Sequence, residues 1–236
     1  MEAIFEKVDL SNERSISAFL FDKPKFDGHW HFHPEYELTY IKQGTGIRYV
    51  GNHVTDFQSG DLVLLGSHLP HCWRNLDDHK GVAQSMVIQW VPSVLGEVPE
   101  LSAIYKMMAM AGRGIKFNTN DNQEIGNQMQ RLIELSPLDQ YIGLITLLAK
   151  LSQERNIQLL AGASYAYDLS DGTEDRLNKI QNYVKDHFRE KIKLSDLSPI
   201  VGMTDQTFSR FFSRTMQKPF FEFLNEYRVN IASRLL

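Results

Sequence analysis

The stretch His31-Phe32-His33-Pro34-Glu35-Tyr36-Glu37 sets His31, His33 and Glu37 at odd positions of an extended run. Side chains on a regular strand alternate between faces with a period of two, so His31, His33 and Glu37 are expected on one face. Around this stretch, from Ile4 to about Trp90, short runs of Val, Ile, Leu, Tyr and Phe are broken by turn signals. These fall at Asp27-Gly28, Gly44-Thr45-Gly46, Gly51-Asn52 and Ser59-Gly60-Asp61. Strands at that spacing suit a sandwich or small barrel, and the face shared by the three polar residues would be its interior. A buried Glu37 without partners would be costly, so a metal, a histidinium, a ligand or water must satisfy it.

The wider spacing, His31-x-His33, Glu37, Gly44, then Gly60 with His71 and Asn75, resembles the two motifs of the cupin superfamily. The resemblance implies that His31, His33, Glu37 and His71 converge in the barrel as metal ligands do in cupin enzymes. It departs from the pattern at Gly66 and His68, which replace a usual proline and glycine, and at Lys25, which replaces the first motif's glycine. Three histidines and a carboxylate suit a divalent transition metal such as iron, manganese, nickel or zinc. Two readings stay open. One is a metal-dependent cupin enzyme with a helical appendage. The other is a sensor pocket without catalysis, where the same residues bind a small polar effector or hydrogen-bond to one another. Trp73 shares the parity of His71, and Arg48 and Tyr49 lie on a neighbouring expected strand. Together they offer a stacking surface and a charged donor for a sugar or small carboxylate, with aromatic core packing as the plainer account.

After Pro92 the apolar period changes. Ile125, Met129, Leu132 and Ile133 repeat at helical spacing, as do Tyr141, Leu144, Ile145, Leu148 and Leu151 beyond Pro137, which predicts an αα-hairpin. Such a hairpin could pack on the barrel or on its copy in a homodimer. Ala161 to Thr173 lacks this spacing and reads as a linker.

The remainder carries the second functional signal. Leu177, Ile180, Val184 and Phe188 form an apolar stripe, and a short helix from about Ser195 to Val201 is expected to bury Leu197, Ile200 and Val201. Gly202 turns the chain. Thr204 then caps a helix with Phe208, Phe211 and Phe212 inward and Asp205, Gln206, Ser209 and Arg210 outward. A scaffold helix, a tight turn and a second helix with an exposed polar N-terminal face make a helix-turn-helix.

The run Leu197-Ser198-Pro199-Ile200-Val201-Gly202-Met203-Thr204, followed by Phe208-Ser209-Arg210-Phe211-Phe212 and Tyr227-Arg228-Val229-Asn230-Ile231-Ala232, closely resembles the AraC/XylS family of transcription regulators. The resemblance implies double-stranded DNA as partner, with Gln206, Ser209 and Arg210 facing base edges and Thr204 and Arg214 near phosphates. It also implies a small-molecule effector, with sugars favoured, and RNA polymerase as a partner if the protein is an activator. Pro199 stands where the family prefers a helix former, and Gln217 where it usually has glycine. The chain stops at Leu236, inside the helix that leads to a second helix-turn-helix in this family, so weak DNA affinity is expected of these residues alone.

The expected fold class is therefore α+β in two domains. A cupin-like effector-binding barrel spans 1–95, linker or dimerisation helices 96–160, a flexible linker 161–174 and an all-α DNA-binding unit, first helix-turn-helix only, 175–236. The net charge of −4 conceals an asymmetry: residues 175–236 hold eleven Lys/Arg against seven Asp/Glu, whereas residues 1–174 hold fourteen against twenty-two. The basic end is the one suited to phosphate. The single cysteine, Cys72, cannot form an internal disulfide and reads as a packing residue. Neither a signal peptide nor an apolar span is evident, so a cytoplasmic protein without membrane contact is expected.

Overall fold

A computed structural model of the chain describes residues 4–8, 10, 14–26, 29–75, 81–119 and 121–163 and, with gaps, 176–216 and 219–233. Strand formation follows the alternation read above, with turns at Gly44, Gly51 and Gly60, all at positive φ. The strands are β1 (Ile4–Phe5), β2 (Ile16–Lys23), β3 (His31–Phe32), β4 (Tyr36–Gln43), β5 (Gly46–Val50), β6 (His53–Phe57), β7 (Leu62–Leu65), β8 (His71–Arg74) and β9 (Ala83–Trp90). Two more, β10 (Ile115–Phe117) and β11 (Ile157–Leu159), come from the segment expected to be purely helical. They pair with β7 and with each other, so the sheet continues past residue 95. Three-residue strands carry too little alternation to be legible in sequence.

The strands form a five-stranded sheet, ordered β1-β3-β8-β5-β6, and a six-stranded sheet, ordered β11-β10-β7-β4-β9-β2. Ile41, Val63, Leu65 and Ala83 of one meet Val50, Phe57 and Trp73 of the other in an apolar interior. The opposite face of the six-stranded sheet is covered by α1 (Ser102–Ala111), α2 (Asn122–Ile133) and α3 (Pro137–Leu151). Leu38, Leu64, Ile88 and Trp90 pack there against Ile104, Met107, Met129, Leu144 and Leu148. Strand β4 is thus buried on both faces, which explains its unbroken Leu38 to Ile41 run. The hairpin of α2 and α3 packs on the barrel. Ser136 accepts from the Asp139 N–H at 3.3 Å and Pro137 opens α3, so the chain reverses at a proper cap.

A third apolar layer joins the barrel to the C-terminal helices. Described residues between 176 and 187 are helical, and α4 (Leu194–Leu197), α5 (Asp205–Met216) and α6 (Phe220–Ser233) follow. Ile180, Val184, Leu197, Phe208, Phe212 and Phe223 share one core with Phe5 and Phe32 on the outer face of the five-stranded sheet. The Phe223 ring lies 5.6 Å from that of Phe5 and 6.4 Å from that of Phe32. Leu177 and residues 164–174 of the expected linker lie outside the described residues. Among the described residues, no helix is long and apolar enough to cross a membrane.

Gly126 sets how closely α2 approaches β4. A Cβ there would fall 2.5 Å from Tyr40 Cε1 and 2.7 Å from its Cδ1 and Cζ, in the body of a buried ring. Gly126→Ala should therefore destabilise the protein by about 1–2 kcal/mol in urea unfolding, overpacking outweighing the gain in helix propensity. Gly143→Ala, which meets the end of the flexible Leu132 side chain, should cost less.

Candidate functional site

The three residues that opened the sequence analysis do converge, but not on one strand. Strand β3 stops after Phe32, the chain bends at Pro34 and Glu35, and β4 starts in the opposite sheet. The Ser67 hydroxyl donates to Pro34 O at 2.6 Å and the His68 N–H to His33 O at 2.8 Å, holding the bend. His68 adopts φ of 59° at the position where the cupin pattern has glycine, so a histidine bears the left-handed strain here. His31 and His33 therefore face Glu37 across the barrel, and His71 lies directly opposite His31 in the β3–β8 register.

Glu37 is the hub of the site. Its Oε1 accepts from Thr39 Oγ1 at 2.6 Å and its Oε2 from Gln89 Nε2 at 2.9 Å, with His33 Nε2 at 3.1 Å and His71 Nε2 at 3.7 Å. Burial pushes this carboxyl up, but the charge of His71 and the hydrogen bond and charge of His33 outweigh it and hold the group well below the usual carboxylate range. Glu37 is therefore anionic at neutral pH. Burial, reinforced by His31, pulls His71 down. Burial also opposes a charged His31, but the 2.9 Å contact with Glu6 prevails and raises it.

Backbone carbonyls set the ring tautomers. Nδ1 of His31, His33 and His71 lies 2.8, 3.1 and 2.7 Å from the carbonyls of His29, Glu35 and Leu69. A carbonyl only accepts, so each Nδ1 carries the proton; the Nε2 of His33 and of His71 faces Glu37, and that of His31 meets Glu6. A neutral His33 Nε2 would then face Glu37 Oε2 lone pair to lone pair, so a proton or a metal cation must lie between them. One ring nitrogen from each of the three histidines lies within 4.8 Å of the others, and His71 Nε2 has no hydrogen-bond partner. This donor set fits a divalent transition metal held by His31, His33 and His71, with Glu37 beside them.

Arg48 and Trp73 also point into the barrel, directly opposite one another in the β5–β8 register. Arg48 is fully buried, and its Nη1 donates to Asp61 Oδ2 at 2.7 Å; Lys116 Nζ reaches Asp61 Oδ1 at 3.0 Å. Tyr49 corrects the sequence reading. As the neighbour of Arg48 on a strand it must face the other way, and it pairs with Cys72 on the outer face, its ring 6.4 Å from Trp30. Gln89, Thr39, Glu6, Asp61 and Lys116 were missed. Gln89 has the parity of Ala83, Ser85 and Val87 and interrupts the apolar second half of its strand, a signal that could have found it.

In the C-terminal unit, Gly202 sits at φ of 67° between a 3-10 turn (Pro199–Val201) and α5. Thr204 Oγ1 accepts from the Thr207 N–H at 3.2 Å, and Ser198 Oγ donates to Asp205, tying the scaffold to the second helix. Phe208, Phe211 and Phe212 are buried, while Thr204, Gln206, Ser209, Arg210 and Arg214 are exposed. Ile200 is exposed, not buried as expected, because the helix tightens to 3-10 geometry at Pro199 and rotates it outward. Gln217 lies outside the described residues. Arg228 donates to the carbonyls of Phe188 and Glu190, both at 2.7 Å, clamping α6 to the end of the helical segment 176–187.

The chain thus joins a barrel with a buried His/Glu cluster to a helical unit whose second helix is exposed. Residues 20–87 match the cupin domain family model. The chain is 28% identical over 201 residues to an uncharacterized HTH-type transcriptional regulator of Staphylococcus aureus strain COL, and equally to one of strain MRSA252. These alignments cover 83% of this chain and 25% of the relatives, so the chain spans about a quarter of their length. In fold it is similar to ToxT of Vibrio cholerae. An apo variant of strain SCE256 superposes with a TM-score of 0.59 at 13% identity, covering 94% of this chain and 82% of that one. The unsaturated fatty acid bound wild-type protein gives 0.58 at 14%, covering 97% and 83%. The likeness to HTH-type transcription regulators, the cupin-like N-terminal domain and the α+β two-part fold are borne out.

Gln89→Leu leaves the buried Glu37 carboxylate one donor short. It should lower the unfolding free energy by about 1–3 kcal/mol, read as a lower urea midpoint at unchanged slope.

Proposed function

We propose that this chain is the sensing and DNA-reading part of a ligand-responsive transcription regulator, and not an enzyme. The observation that carries this reading is the shared seam: β3 presents His31 to the barrel interior and Phe32 to the core of the helix-turn-helix unit. An effector that repositions His31 therefore acts one residue from the contact with Phe223. The device is a population shift, in which the effector favours the arrangement of barrel and helices that it binds better. That ToxT structures contain an unsaturated fatty acid and (E)-4-(8-methylnaphthalen-1-yl)but-3-enoic acid supports a small-molecule pocket in this architecture.

The effector is a sugar or another small polar metabolite held by His31, His33, Glu37, His71, Trp73 and Arg48. The chain acts in the cytoplasm as a homodimer on double-stranded DNA, controlling nearby metabolic genes and contacting RNA polymerase where it activates. Gln206, Ser209 and Arg210 read bases, with Thr204 and Arg214 on phosphates. A divalent transition metal on His31, His33, Glu37 and His71 would serve as a Lewis-acidic anchor for an effector oxygen, and the chain's own residues orient and enclose it.

Two experiments test this reading. In operator selection and binding assays, Arg210→Ala should cost about 1–3 kcal/mol and relax one base position, whereas Arg214→Ala should weaken all sequences alike and reduce the salt slope by about 1. Unchanged affinity and specificity in the Arg210 variant would remove the assignment. After equilibration with Ni²⁺ or Zn²⁺ and desalting, elemental analysis should find roughly one ion per chain, lost in His71→Ala.

A further inference from the structure

The Arg48 guanidinium is satisfied on one side only. Nη1 donates to Asp61, but Nε and Nη2 are buried and no acceptor among the described residues reaches them. These two N–H groups form the side-on edge of the guanidinium, the parallel fork that matches both oxygens of a carboxylate. Trp73, directly across the ladder from Arg48, is buried with its Nε1–H equally without a partner. Three donors thus stand unmatched on adjacent strands of the barrel interior, each an expensive group to leave unmade.

The charge points the same way. Arg48 and Lys116 share the single carboxylate of Asp61, leaving one positive charge in excess. Burial and the charges of Arg48 and Lys116 pull His53, on the neighbouring strand, below its ordinary value, so it adds no further positive charge. A monoanion cancels this excess, whereas a phosphate, with about −1.5 to −2 charges, overshoots it.

We propose that Arg48 and Trp73 form an anion subsite for the carboxylate of a small hydroxy acid, the rest of which extends toward the His31, His33 and His71 cluster. Trp73 links the two regions, its ring 5.8 Å from that of His71. Positions 71 and 73 are about 7 Å apart along a strand, the span of a sugar acid or comparable polyhydroxy acid. The inference rests on the reading of the barrel as an effector pocket and narrows its ligand from sugars in general to acids.

The test is a titration of the full chain, labelled with ¹⁵N at arginine and tryptophan, following the Arg48 Nε–H and Trp73 Nε1–H resonances assigned with Arg48→Lys and Trp73→Phe. The probes are two matched pairs, acetate with acetamide and glucuronate with glucose, together with inorganic phosphate. The carboxylates should move both resonances saturably, glucuronate binding about 10–100-fold more tightly than glucose. Arg48→Gln should abolish the carboxylate preference, and Trp73→Phe, which keeps the ring in the core, should weaken it. Equal responses to glucuronate and glucose, no response to either carboxylate, or a response to phosphate alone would each overturn the proposal. Salt-sensitive DNA binding without carboxylate binding removes only this subsite, and carboxylate binding without DNA binding removes only the regulator reading.

Discussion

A carboxylate in the middle of a β-barrel must be surrounded by donors, and Glu37 draws its own from both sheets. Thr39 and Gln89 donate from β4 and β9 on one side, and on the other His33, just past β3, and His71 of β8 face it at 3.1 and 3.7 Å. An unmet buried charge would cost far more than any one of these hydrogen bonds returns. The demand of this one group therefore fixes which residues of four strands face inward and how the two sheets are registered across the interior. The bend at Pro34 and Glu35 belongs to the same constraint, because it carries the chain from one sheet to the other within the motif.

The interior is polar in two places and apolar between. The His/Glu cluster occupies one region, and Arg48 with Asp61 and Lys116 the other, with Val63, Leu65 and Trp73 in the packing around them. The same strands carry the site and the contact with the helical unit. Period-two alternation puts His31 inward and Phe32 outward, so a residue of the interior cluster and a residue facing the helical unit are covalent neighbours.

Much of this was legible in the sequence. Odd parity of His31, His33 and Glu37, with the distant His71, marked the inward cluster, and the Phe208, Phe211 and Phe212 spacing marked the buried face of α5, leaving Gln206, Ser209 and Arg210 outward. Each is a local periodic pattern in which few residues decide the direction of many. Tyr49 was misplaced because Arg48 and Tyr49 were grouped by chemistry although alternation separates them. Ile200 was misplaced because a proline changed the helical period.

Local sequence determined the elements, their inward faces and the residue types of both sites, because periodicity and turn chemistry act over a few residues. Only the tertiary structure decided the partners. That Gln89 donates to Glu37, that Asp61 takes Nη1 and leaves the side-on edge of Arg48 open, and that Phe223 closes on Phe5 and Phe32 all depend on strands and helices far apart in sequence. Such contacts are set by sheet register and packing across the barrel, which no period within one segment records.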